Sequence, residues 1–455
     1  MAIIGGGVVG CATARSFALR GASVILIEKS TDILSGASKG NSALLHTGFD
    51  APPGSLELQL VQRGYHEYLR IHKRLNLPLL ETGAMVVAWS PEEFARLQDI
   101  AVQAVRNGVT DTRLLCAREA RRREPALAAD VHGALLVPGE HVIDPWSAPL
   151  AYLTQACAHG AHVLLRAELL NGNYDGIRWH LATTRGAVAA TDVINCGGLY
   201  GDVVDQRCLG SSSFEIRPRK GQFVVFDKPA AKLLTTTILP VPTDRTKGVV
   251  LARTVFGNVL VGPTAEDQPS RERADIEKSI LESLIATAVR MLPALAGVGV
   301  SAAYAGLRTA SECKEYRIQW RPDRRWLTLG GIRSTGLTAA LGLAEYAADL
   351  IGERPWSLRA APATIWTPVP NIAEHLRRDW QTPGYGEIVC HCEMVTRREI
   401  EQTFSSPIPP GDLGGLRRRT RAGMGRCQMF YCGDRIAALS MDRLATGLAN
   451  PNQDD

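Results

Sequence analysis

The 455-residue sequence predicts an α/β protein: a Rossmann-like parallel-sheet domain, an antiparallel-sheet domain beside it, and a small cysteine-bearing domain at the C-terminus. Three observations carry this. The chain opens on a strand, a glycine turn, a helix, a second strand and an acid. Several short strands crowd residues 214 to 263, and four cysteines cluster after residue 385. Apolar residues make up 45% and charged residues 21%, as in an ordinary globular protein. The net charge of +5 is mild at this length and gives no reason to expect a nucleic-acid partner. No apolar run approaches the roughly 18 residues that span a bilayer. The chain enters its first strand at once, so no cleavable signal peptide is expected. The ten cysteines are then unlike a secreted disulfide framework. Six of them (Cys11, Cys116, Cys157, Cys196, Cys208 and Cys313) read as small buried apolar residues.

The opening unit is the most informative. Met1 to Ile4 is apolar, Gly5, Gly7 and Gly10 follow in Gly-x-Gly-x-x-Gly spacing, Cys11 to Arg20 reads as a helix, and Val24 to Ile27 ends on Glu28. This is a dinucleotide fingerprint in its required context. Gly5 permits the tight turn, Gly7 the approach of a pyrophosphate to the helix N-terminus, and Gly10 close packing of helix on strand. Glu28 is placed to accept hydrogen bonds from ribose hydroxyls. Ser35 to Asp50 is rich in small residues, including Ser38, Asn41 and Ser42, and suits a backbone lying against a planar ligand. His46 sits in that loop.

Leu56 to Leu75 has helical periodicity, Met85 to Trp89 is strand-like, and Ser90-Pro91 starts a capped helix. Val137 to Pro145 reads as a turn-rich loop. Ala161 to Leu165 and Val188 to Asn195 read as strands, the second running into a turn at Gly197-Gly198. Gln222 to Phe226, Gly248 to Ala252 and Val259 to Val261 form the antiparallel group, and Arg271 to Leu292 reads as a helix. After the strand Trp326 to Leu329 comes a third glycine turn, with Gly331, Arg333, Gly336, Leu337 and Thr338. It opens the helix Ala339 to Ile351, whose free N–H groups suit an anionic or carbonyl oxygen. Pro355, Pro362, Pro368 and Pro370 mark a linker packed along the surface or bridging two domains.

Three glycine turns spread over residues 1–360 resemble the D-amino-acid-oxidase-like flavoprotein superfamily. Its members include glycerol-3-phosphate dehydrogenases, L-2-hydroxyglutarate oxidases and glycine oxidases. The segment Gly40 to Gly48 with Pro53 to Leu56 looks most like the first two. The resemblance implies FAD, held by a discontinuous domain of residues 1–80, 140–213 and 300–354, and a substrate domain of residues 81–139 and 214–299. The linker is 355–384. Cofactor contacts are expected from Gly5, Gly7, Gly10, Glu28, Ser38, Asn41, Ser42, Gly197, Gly198, Gly331, Arg333, Gly336, Leu337 and Thr338. Arg308, in Gly306-Leu307-Arg308, matches the arginine that holds the substrate carboxylate in related amine oxidases. Its planar fork binds carboxylate or phosphate at two points, and the alternative is a structural salt bridge. Lys220 and Arg333 are weaker anion ligands. His46 is placed to take the hydroxyl proton of an alcohol, or only to bond cofactor or backbone, with His141 a poorer candidate.

The clustered cysteines are Cys390-x-Cys392 and Cys427-x4-Cys432. Four thiolates complete the ligand set of a [2Fe–2S] cluster. Zinc also accepts four, although the Cys-x-Cys half departs from the usual two-to-four-residue knuckle spacing, and a redox disulfide is a further reading. Cys390 to Thr396 together with Leu416 to Gln428 resembles the bacterioferritin-associated-ferredoxin-like (BFD-like) domain, over residues 385–445. That domain also ends the catalytic subunit of anaerobic glycerol-3-phosphate dehydrogenases. The resemblance implies [2Fe–2S] on Cys390, Cys392, Cys427 and Cys432. The run Arg417 to Arg421 reads as a solvated helix face, or as charge that stabilises the cluster or docks an acidic partner.

A flavin with a one-electron cluster implies a dehydrogenase that exports electrons to a partner subunit, then to quinone, rather than an oxidase. The expected substrate is a small anionic alcohol, glycerol-3-phosphate first, L-2-hydroxyglutarate or a similar hydroxy acid second, and an amine third. The alternative is a flavin oxidase whose C-terminal domain is a zinc or assembly module. The expected location is the cytoplasm, held at the inner membrane face through a partner.

Overall fold

The computed structural model describes residues 1–242, 248–354 and 363–446. The opening apolar run forms the central strand of a six-stranded sheet in the order Arg317–Arg321, Trp326–Gly330, Val193–Asn195, Ala2–Ile4, Ile25–Ile27, His162–Leu164. All neighbours are parallel except the edge strand Arg317–Arg321. The inner strands are mostly apolar on both faces because both faces are covered, while the two edge strands carry polar side chains. On one side lie the helices Val8–Leu19, Leu56–Ile71, Ser147–Ala158 and Gly336–Ile351, with Phe17, Leu26, Tyr68, Tyr152 and Leu341 in the shared core. On the other lies a three-stranded meander, Leu169–Tyr174, Trp179–Thr183 and Gly186–Ala190, packed through Trp179 against Trp326.

The expected single strand Val188 to Asn195 is therefore two. One ends at Ala190 in the meander, and the other begins at Val193 in the parallel sheet. Asp192 makes the break: its carbonyl accepts from the Ala2 amide at 2.9 Å, and its buried carboxylate takes Arg325.

The second sheet is mostly antiparallel and carries the long strands Arg219–Phe226 and Val300–Arg308, paired along their whole length. One junction is parallel, Thr237–Pro240 beside Ala84–Ala88. The helix expected from Arg271 starts only at Lys278. The preceding side chains are drawn into tertiary bonds: Arg271 forks onto Asp202, and the Glu277 amide donates to Gln222 Oε1. The loop expected from Val137 to Pro145 contains a strand, His141–Ile143, which pairs with both Leu44–Leu45 and Leu79–Leu80. Three residues are too few to show alternation, so only the long-range pairing defines it.

Of the linker prolines, Pro355 and Pro362 lie outside the described residues. The described part spans both larger domains: the Val369 backbone amide donates to the Leu75 carbonyl, Gln155 Nε2 to the Ile365 carbonyl, and Ile372 and Ala373 are buried against the antiparallel sheet.

The C-terminal domain has a two-stranded ribbon, Ile388–Cys390 with Val395–Thr396, and the helices Arg397–Phe404, Leu413–Thr420 and Gly433–Ser440 around a small core. Its arginine run is not a solvated face. Arg419 is buried and forks onto the fully buried Asp32 at 2.7 and 2.8 Å. Arg418 donates to the Ile33 carbonyl, and Thr31 donates to Asp412. Arg421 pairs with Glu393 and lies over the Phe256 ring. The run thus anchors the small domain to the loop that follows Glu28. Among the described residues, no helix is long and apolar enough to cross a membrane.

Candidate active site

The glycine turn after the first strand opens into a cavity of about 550 Å³ between the two sheets. Gly5 has φ +104°, and a Cβ there would sit 2.5 Å from the Cys196 carbonyl oxygen. A Cβ on Gly10 would sit 1.9 Å from the Gly5 carbonyl oxygen. Only glycine fits at either place. Gly7 is the N-cap of the first helix and carries no side-chain cap. The Val8 amide instead donates to Ser38 Oγ at 3.1 Å. Glu28 Oε2 accepts from the Gly6 amide at 2.6 Å, which fixes the acid at the end of its strand.

The small-residue loop lines the cavity through Ser38, Asn41 and Ser42. The Asn41 side chain holds its own loop, accepting from the Ala43 amide and donating to the Ser38 carbonyl. Gly198, Gly331, Arg333, Gly336 and Leu337 line the wall from the other two glycine turns, whereas Gly197 is not part of the lining and its amide donates to Asn195 Oδ1 at 2.9 Å. Thr338 does not reach the cavity with its side chain. That hydroxyl is buried, accepts from the His46 amide and donates to the Leu44 carbonyl. It positions the His46 loop.

Arg308, at the end of its long strand, reaches into the cavity. Nη2 donates to the Thr264 carbonyl at 3.1 Å, and Nη1 is buried with no hydrogen-bond partner. Burial lowers its pKa to about 10, with help from the charges of Arg219 and Arg333. A guanidinium held this way is short of an anion. Arg219, Arg333 and Lys314 line the same cavity, although Arg219 already pairs with Asp267. Lys220 does not contribute: one step along the strand turns it to the opposite face, where it pairs with Glu277 at 2.6 Å and Glu266 at 3.1 Å.

His46 lines the cavity, and its Nδ1 lies 2.9 Å from Glu140 Oε2. Glu140 is 1% exposed. Sequence reasoning missed it, because no motif flags a glutamate in a glycine turn 94 residues away. His141 is outside the cavity lining, stacked on Tyr65, and its pKa is lowered by burial.

In the C-terminal domain the four thiols approach in two pairs. All four are free thiols; Cys392 is hydrogen-bonded to Cys427 and Cys432 to Cys390, with electrostatic contacts between the pairs. Burial and the Cys390 sulfur push the Cys432 thiol up to about 12. The backbone amides of Tyr431, Met429 and Phe430 lower the pKa of Cys427. The Gly423 amide points at Cys390 Sγ from 3.5 Å, and a Cβ on Gly425 would lie 2.3 Å from Cys392 Cβ. Among the described residues no three His, Cys, Asp or Glu side chains converge on one ion. Paired thiols ringed by N–H groups suit a two-iron centre, which takes two thiolates per iron.

A dinucleotide cleft facing a sheet with an unneutralised cation, joined to a four-thiol domain, fits a flavin-dependent oxidoreductase that also carries an iron–sulfur domain. The chain belongs to the FAD dependent oxidoreductase family, whose profile matches residues 1–350, and residues 388–439 match the BFD-like [2Fe-2S] binding domain. FAD and a [2Fe–2S] cluster are therefore its cofactors. It is 28% identical to a glycerol 3-phosphate dehydrogenase of Caloramator mitchellensis, over all of this chain and 96% of that one. It is 30% identical to an L-2-hydroxyglutarate dehydrogenase of Indibacter alkaliphilus, over 58% of this chain and 67% of that one. One subunit of the anaerobic glycerol-3-phosphate dehydrogenase of Escherichia coli K12 is 26% identical, over 96% of this chain and 87% of that one. Among solved structures, the FAD-bound L-alpha-glycerophosphate oxidase of Mycoplasma pneumoniae superposes with a TM-score of 0.72 at 27% identity, covering 78% of this chain and 94% of that one.

Proposed function

We propose that the protein is a dehydrogenase that oxidises glycerol-3-phosphate to dihydroxyacetone phosphate and passes the electrons to a partner subunit, then to quinone. The observation that carries this is Arg308, a buried guanidinium with an unpaired Nη1 in a cavity that also holds His46. Arg308 takes the substrate's anionic end, with Arg333 and Lys314 adding charge that suits a phosphate dianion. His46 accepts the hydroxyl proton as the carbon is oxidised. The loops bearing Ser38, Asn41 and Ser42, and the turn Gly331 to Leu337, hold the cofactor from two sides. FAD, when bound, supplies the two-electron acceptor for the carbinol hydride, and the cluster supplies a one-electron outlet. A cluster outlet is superfluous for an enzyme that hands electrons only to oxygen. The likeness to one component of a multi-subunit anaerobic dehydrogenase supports assembly with an electron-accepting partner. Such a partner would hold the protein at the inner membrane face.

The same fork accepts a carboxylate, and the hydroxyglutarate relative favours that second substrate class. Anaerobic titration of the FAD-loaded protein with each compound separates them. Bleaching of the flavin bands by glycerol-3-phosphate at far lower concentration supports the first reading. Preferential bleaching by L-2-hydroxyglutarate replaces the substrate but keeps the path. Bleaching by neither removes the proposal.

A further inference from the structure

We infer that Glu140 is the positioning residue for His46: it fixes the imidazole as the Nδ1–H tautomer, so that Nε2 is the nitrogen that takes the substrate proton. This deepens the reading of His46 as the base and rests on it. The two residues come from different pieces of chain. His46 follows the strand Leu44–Leu45, and Glu140 ends the turn before the strand His141–Ile143, with Leu45 registered opposite His141. That register brings the Glu140 carboxylate under the loop.

Both oxygens are then engaged. Oε2 lies 2.9 Å from His46 Nδ1, while Oε1 accepts from the Thr47 amide at 2.6 Å and from Thr47 Oγ1 at 2.7 Å. Two bonds to Thr47 orient the carboxylate, leaving Oε2 aimed at the ring. The turn that carries it is itself held. The Tyr65 hydroxyl donates to the Gly139 carbonyl at 2.8 Å, and a Cβ on Gly139 would lie 2.8 Å from Thr47 Cγ2. The His46 amide in turn donates to Thr338 Oγ1. Ring and backbone of His46 are thus each held by a hydrogen bond.

An ionised carboxylate has no proton to donate, so the bond to Nδ1 requires the proton to sit on the ring nitrogen. The other nitrogen then keeps its lone pair, and the imidazolium formed on proton uptake is stabilised by the adjacent negative charge. The balance is simple: the substrate O–H breaks, N–H forms at Nε2, and no proton passes to Glu140.

Glu140→Gln tests this in the FAD-loaded enzyme. The amide oxygen can replace Oε1 for Thr47, but the amide nitrogen then donates to Nδ1 and moves the ring proton to Nε2. Flavin bleaching by saturating glycerol-3-phosphate should slow by about 10²–10⁴-fold. Half-saturating substrate and FAD content should change by less than about threefold, since no binding group is lost. In the double variant with His46→Asn the two losses should not multiply. A Glu140→Gln enzyme that bleaches at the wild-type rate, or losses that multiply, overturns the proposal.

A second readout needs no substrate. Nitrogen-15 spectra of histidine-labelled protein, with the His46 signal assigned by its loss in His46→Asn, should show the Nδ1–H tautomer in wild type. The Nε2–H tautomer should replace it in Glu140→Gln. An Nε2–H wild type overturns the proposal. Should wild type fail to bleach with any alcohol, the reading of the reaction falls while the tautomer result still decides Glu140. Should Glu140→Gln lose FAD, Glu140→Asp, which keeps an acceptor, should show the wild-type tautomer; the opposite tautomer overturns the proposal.

Discussion

Replacing Arg308 with methionine should stabilise the protein while removing its substrate affinity. The pKa of Arg308 falls from 12.5 to about 10 in the folded state. At about 1.4 kcal/mol per pH unit, that is roughly 3 kcal/mol against the charged folded form. The sign follows from linkage. A base with a depressed folded pKa is destabilising wherever it is protonated in both states, so the cost is fully present below about pH 10 and fades towards 12.5. Methionine fills much of the same volume without charge. It forfeits one hydrogen bond to the Thr264 carbonyl, about 1 kcal/mol. The net expectation is a gain of about 1–2 kcal/mol at pH 7, read as a higher urea midpoint for FAD-loaded protein with unchanged slope. Catalysis should move the other way. Loss of a forked, desolvated anion contact costs about 2–4 kcal/mol, or about 30- to 1,000-fold in kcat/KM. Wild type should also gain stability from glycerol-3-phosphate, whereas Arg308→Met should not. A variant that is less stable by more than about 1 kcal/mol, yet keeps kcat/KM within about threefold, would show that Arg308 serves only structure.

Gly10→Ala should abolish FAD retention, because its Cβ would meet the Gly5 carbonyl at 1.9 Å; the check is the flavin absorbance of purified protein. Asp32→Ala should leave Arg419 buried without its partner and cost about 3–5 kcal/mol, with the C-terminal domain the first to be cleaved in limited proteolysis. Pairing Asp32→Leu with Arg419→Met should restore most of that loss in denaturant titrations. Cys427→Ser should remove the broad absorbance beyond the flavin bands while substrate still bleaches the flavin.

The parts of this molecule legible in the sequence are those decided locally. The first strand, glycine turn, helix and Glu28 follow within thirty residues, and every step has a steric reason that a single residue carries. The cysteine spacing is local too, and glycines at 423 and 425 fit the pairing of the thiols it brings together. Arg308 was legible by its place before the third glycine turn, but its missing partner was not.

What failed to show depended on distant chain. Lys220 and Arg219 are adjacent, and only the register of their strand decides which one faces the cavity. The run Arg417 to Arg421 looks solvated until Asp32, 387 residues from Arg419, is folded against it. Glu140 finds His46 through three-residue strands whose pairing no periodicity announces. The strand expected from Val188 to Asn195 was apolar throughout most of its length, and the division at Asp192 is set by contacts with Ala2 and Arg325.

In the proposed route, electrons from a small anionic alcohol leave this chain through the C-terminal cluster. The most direct test of that route adds one equivalent of glycerol-3-phosphate to the oxidised holoprotein without oxygen, then freezes samples over time for electron paramagnetic resonance alongside flavin absorbance. Flavin absorbance should fall first, followed by the signal of a reduced [2Fe–2S] centre, with that signal absent in Cys427→Ser. A flavin that bleaches fully beside a cluster that stays oxidised would contradict the route.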